Sequence, residues 1–139
     1  NCFNFFYIHT LIKDNIGKLG VILSLETKKL NSNIKTLGHK LAMQIAASNP
    51  IGIDETDLDS NILQKEEEII KAELENTAKA KAILDKIAKG KLKKFVEENT
   101  LLNQIWIMDS KKRVKNVIEE HAKNNTLKVK KFVRYKVGE

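Results

Sequence analysis

Leu41-Ala42-Met43-Gln44-Ile45-Ala46-Ala47-Ser48-Asn49-Pro50 closes the stretch that decides the fold. Reading back from it, Ile34, Leu37, Leu41, Ala42, Ile45 and Ser48 recur at spacings of three, four and seven. That is one face of a helix. The spacing predicts a helix over 34–48, capped by Ser32 or Asn33. Asn49-Pro50 stops it, because the residue before a proline is pushed out of the α region. Ala42, Ala46 and Ala47 keep one side thin, which permits close packing on a sheet or a neighbour.

Working outward, the flanks read as strands. Phe3 to His9 is aromatic and β-branched, and Leu19, Val21, Leu23 and Leu25 line one face at period two. Turn residues from Lys13 to Lys18 predict an antiparallel hairpin with a long loop between them. At the far end, Leu127 to Val137 reads as a third strand, with Leu127, Val129, Val133, Tyr135 and Val137 on one face and Lys131 breaking the pattern. Ile105 to Met108, around a buried Trp106, is expected as an edge strand, and Val114, Val117, Ile118 and Ala122 as a short helix ended by Asn124-Asn125.

Between 57 and 99 the pattern is helical throughout. Ile62, Ile69, Ile70 and Leu74 mark one helix; Ile83, Leu84, Ile87, Ala88, Leu92, Phe95 and Val96 mark a second. Residues 62–76 carry a net charge of −3 and residues 77–96 a net of +6. Opposite charges and apolar seams predict an antiparallel helical (coiled-coil) hairpin. The expected fold class is therefore α+β: a small antiparallel sheet of about three strands packed on helices, with the hairpin inserted. Residues 1–56 and 100–139 form the core subdomain in this reading, and 57–99 the insertion.

Composition limits what such a body does. The 139 residues carry a net charge of +7, with 42% hydrophobic and 31% charged residues, which fits a folded globule. No apolar run approaches the ~20 residues of a membrane span. The single Cys2 has no partner for an internal bridge, which fits a reducing compartment. The opening Asn-Cys-Phe, already inside a hydrophobic run, reads as part of something longer.

No catalytic constellation is present. His9, His39 and His121 fall on different elements without metal-ligand spacing, and the six glycines never cluster into a phosphate loop. Neither an enzyme nor a cofactor is expected. The stretch 111–136 has ten Lys or Arg against Glu119 and Glu120, which makes a basic RNA-binding module the alternative function. Against it, only Phe132 is expected on the outward face as a stacking platform, so nucleic acid is the less favoured partner. A structural coiled-coil adaptor built on 57–99 is a third reading.

Five segments, in order, are more specific. Tyr7-Ile8-His9 with Ile16-Gly17-Lys18-Leu19-Gly20-Val21 comes first; Leu41 to Pro50 is the second and the most telling. Lys86-Ile87-Ala88-Lys89-Gly90-Lys91-Leu92-Lys93-Lys94-Phe95 is the third, Leu101-Leu102 with Gln104 the fourth, and Phe132-Val133-Arg134-Tyr135 with Val137-Gly138-Glu139 the fifth. Together they resemble elongation factor Ts, the guanine nucleotide exchange factor for the translational GTPase elongation factor Tu. The resemblance implies the C-terminal half of that family's core, with its coiled-coil insertion. It also implies elongation factor Tu as partner, a bacterial cytoplasm or organelle interior, and possible self-association through the hairpin. This half is expected to dock, while a Thr-Asp-Phe-Val motif elsewhere does most of the prying; Thr56-Asp57-Leu58 is not that motif.

Carried over position by position, His9 matches the family's docking histidine. His39 and Lys40 take the place of an adjacent basic pair, and Gln44 stands where histidine is usual. Lys40 and Gln44, four apart, are expected on one helix face, with His9 joining them. Met43 is open to either a core or a contact role. The connection from Thr10 to Asn15 is longer than the family's usual tight one.

Overall fold

The expected helix is α1, Ser32–Ser48. The computed structural model describes residues 1–123 and 125–139. The cap lies one residue earlier than expected: Asn31, extended at φ −132°, accepts a hydrogen bond from the Ile34 amide at 2.9 Å. Asn49 closes the helix in the left-handed conformation, its amide bonded to Ile45 O at 3.0 Å. Asn31→Ala is expected to cost about 1 kcal/mol, the usual worth of such a cap. A thermal-unfolding midpoint lowered by several degrees checks it.

The chain divides into two compact units, Asn1–Pro50 with Ile105–Glu139, and Ile51–Gln104. In the first unit β1 (Cys2–Lys13), β2 (Ile16–Thr27) and β5 (Leu127–Lys136) form an antiparallel sheet in the order β1-β2-β5. This is the α+β class with the three strands expected. One correction concerns the hairpin. The strands run on to a two-residue turn at Asp14-Asn15 in place of a long loop, because Asn15 adopts φ 61° and closes the reversal itself.

A second correction concerns β5. Its register against β2 shifts at Ser24/Leu25, so Leu127 and Val129 stand opposite Thr27 and Leu25, but Phe132 and Arg134 stand opposite Leu23 and Val21. The extra residue reverses the alternation. Phe132 therefore joins the core side, and Val133 and Tyr135 turn outward beside Ile22 and Gly20. Phe6, Ile22 and Tyr135 are exposed on that outer side.

The inner side is the core. Val21, Leu23 and Leu25 meet Ile34, Leu37, Leu41 and Ile45 of α1, all buried. Helix α4 (Val114–Ala122) adds Val114, Val117 and Ile118. Of its expected stop, Asn124 lies outside the described residues, and Asn125 bonds back to Ala122 O at 2.6 Å. Trp106 is buried in the short β3 (Ile105–Trp106), which pairs antiparallel with β4 (Asp109–Arg113), a strand the charged sequence Asp-Ser-Lys-Lys-Arg did not announce.

The second unit holds α2 (Ser60–Leu74) and α3 (Lys81–Asn99), which return antiparallel across a short connection. Ile70, Ala88 and Leu92 line their seam, and Glu73 pairs with Lys91. The base is closed by backbone: Ile51 N to Asn99 O and Leu101 N to Gly52 O, each 2.9 Å, and Leu102 N to Ile53 O at 3.0 Å. The short 3-10 turns at Glu55–Asp57 and Leu101–Asn103 lie within this unit. Among the described residues no helix is long and apolar enough to cross a membrane.

Candidate partner-binding site

Strand β1 is an edge of the sheet, and its odd-numbered residues share the side covered by α1. Phe5 stands opposite Leu23, Tyr7 opposite Val21 and His9 opposite Leu19. Phe5 is buried, Tyr7 half-buried and His9 exposed, so the strand emerges from under the helix as it runs. Tyr7 Oη and His9 Nδ1 lie 2.9 Å apart, a bond the phenol donates when the neutral ring carries its proton on Nε2. The two rings stand 5.9 Å apart.

Helix α1 comes down on Phe5 at Gly38. A Cβ there would meet the Phe5 ring at 2.5–2.7 Å, so only glycine lets helix and strand approach this closely. The next residue, His39, sets its ring edge-on to Phe5 at 5.7 Å and 85°. His39 with Phe5 and Tyr7 with His9 therefore form two ring pairs, on the helix and along the edge strand, with both imidazoles exposed. Met43, one turn on from His39, is half-buried, and Lys40 is exposed beside them. Four of the five residues singled out in the sequence are thus accessible: His9, His39, Lys40 and Met43.

Gln44 is the correction. At 100° per residue it points about 140° away from His39. It is 1% exposed. Its Nε2 donates to Ile105 O at 3.1 Å, and its Oε1 accepts from Ile107 N at 2.9 Å. Gln44 fastens β3 to α1 and presents nothing to a partner, so a footprint running from His9 through Lys40 to Gln44 does not form. A signal was available: Gln44 continues the buried spacing of Leu37 and Leu41. Sequence reasoning also missed Tyr7, which period two places on the same side as His9.

A family model described as elongation factor TS matches residues 2–139. The elongation factor Ts of a Nitratiruptor species is 45% identical over 127 residues, covering 88% of this chain and 42% of the relative. That of Aquifex aeolicus is 36% identical over 132 residues, covering 95% and 44%. That of Zymomonas mobilis is 33% identical over 135 residues, covering 96% and 44%. The chain spans less than half the length of the curated relatives it matches. With the match running along nearly all of its residues, the chain belongs to the elongation factor Ts family.

Proposed function

We propose that this chain is the docking portion of a translation elongation factor that promotes GDP release from the GTPase elongation factor Tu. The observation that carries this is the pair of exposed imidazoles, His39 set against Phe5 on the helix and His9 bonded to Tyr7 on the edge strand, in a member of the elongation factor Ts family. Such a portion works by binding, not by making or breaking bonds. Binding and release are linked: a factor that weakens GDP by some ratio is itself weakened by GDP by the same ratio. Docking energy held at His9 and His39 supplies the grip against which the rest of the factor displaces nucleotide. By family, the setting is a bacterial cytoplasm or an organelle interior.

The expected result is binding to elongation factor Tu with little acceleration of fluorescent GDP release by this chain alone. His9→Ala, at an exposed position, is expected to weaken that binding about tenfold, or ~1.4 kcal/mol, with the unfolding midpoint unchanged. No detectable binding by the wild-type chain or by the full-length factor would reject the proposal. RNA binding that falls steeply with salt, with no GTPase binding, would favour the basic RNA-binding alternative.

A further inference from the structure

The β1–β2 hairpin continues beyond His9 into a tip that the site described above leaves unused. Leu11, Ile12 and Ile16 stand 65%, 68% and 55% exposed there. Three large aliphatic side chains thus stand in water within one short reversal, Leu11 and Ile12 consecutive on β1 and Ile16 across the turn opposite Lys13. The tip does not simply prolong the sheet. Thr10 takes φ 55°, a conformation in which a β-branched residue is a genuine outlier, and the ladder shifts register between Leu11 and Lys13. Gly17 admits this kink, since a Cβ there would lie 2.8 Å from His9 O and 3.1 Å from Thr10 O, against Ile8 as well. Strained backbone of this kind persists where its surroundings over-determine it. Thr10 and Gly17 therefore mark where the hairpin departs from the regular ladder, immediately after His9.

We propose that Leu11, Ile12 and Ile16 are a second anchor, entering an apolar cleft on the same GTPase that receives His9. This rests on the docking reading above and names a further contact surface within it. Continuity favours that occupant. One residue separates His9 from Leu11 on a single strand, so the tip borders the surface that holds Tyr7 and His9. The composition agrees, with three aliphatic side chains in one reversal and Lys13, Asp14 and Lys18 as the charged residues next to them in sequence, the mix of an interface core with a charged rim. A bilayer surface is the weaker fit, because two lysines partly offset by Asp14 provide little attraction to anionic lipid.

The test uses the intact chain carrying Leu11→Ser, Ile12→Ser and Ile16→Ser together, with Ile12→Asp as a second variant in case the triple change disturbs the hairpin. Either variant is expected to bind elongation factor Tu at least about tenfold more weakly, with the unfolding midpoint held. Wild-type binding that His9→Ala weakens and neither tip variant changes would overturn the anchor and leave the docking reading standing. Absence of wild-type binding would remove both. Two further results would also overturn the anchor: tip-dependent cosedimentation with phosphatidylglycerol vesicles, or a tip-dependent dimer in sedimentation, each with GTPase affinity unaltered.

Discussion

Gln44→Ala is expected to lower the unfolding free energy by about 3–5 kcal/mol, a large share of the roughly 5–15 kcal/mol that holds a typical domain together. The change strips the partners from Ile105 O and Ile107 N at once. Each buried backbone group left unpaired costs about 1–3 kcal/mol, and the vacated volume adds to that. Gln44→Leu restores the volume but neither hydrogen bond, so it should fall between alanine and wild type. Gln44→Glu keeps an acceptor for Ile107 N but loses the donor for Ile105 O and introduces a buried charge. Urea unfolding with a common slope reads all three. A shift below about 0.5 kcal/mol for the alanine variant would show that β3 is held to α1 by apolar packing alone.

Gly38→Ala should be destabilising by about 2–3 kcal/mol, although alanine is favoured over glycine inside a helix by about 1 kcal/mol. The methyl group would meet the Phe5 ring at its near carbons, where a buried ring has little room to swing away. Either α1 lifts from the sheet edge or the ring turns, and the ring is what His39 rests on. Partner binding should therefore weaken along with stability. Phe5→Ala alone empties the same space at a cost of about 3 kcal/mol. Combined with Gly38→Ala it should cost clearly less than the two changes summed, since the methyl then has somewhere to go. Additive losses in denaturant unfolding would mean that the two residues do not share that space.

The parts of this molecule that a sequence exposes are those set by neighbours along the chain. Helix α1 was readable because Ile34, Leu37, Leu41 and Ile45 repeat at its own period, and β2 because Leu19 to Leu25 alternate cleanly. His9 and His39 stand out as candidates through resemblance alone, and the setting of His39 against Phe5 and of His9 against Tyr7 requires coordinates. The hidden parts are set across space. The register shift in β5 depends on Ser24 and Leu25, at the opposite end of the chain, so alternation within 127–137 by itself puts Phe132 and Tyr135 on the wrong sides. Strand β4 pairs through its backbone, which leaves no apolar trace in Asp-Ser-Lys-Lys-Arg. Gln44 reads as a surface residue by type although its spacing continues the buried face of α1, and the amide and carbonyl of the Ile105–Ile107 segment are what satisfy it in the interior.

The backbone bonds that join Ile51 and Gly52 to Asn99 and Leu101 bring the entrance and exit of the helical unit side by side. A loop whose ends already touch places no demand on the distance between its insertion points, so length changes at its far end go unfelt at the doorway. Whole turns could be trimmed from the connection between α2 and α3, or the pair replaced by a brief reversal, while the sheet keeps its registration. The helical pair is in that sense an interchangeable attachment, free to drift in reach from one descendant to the next.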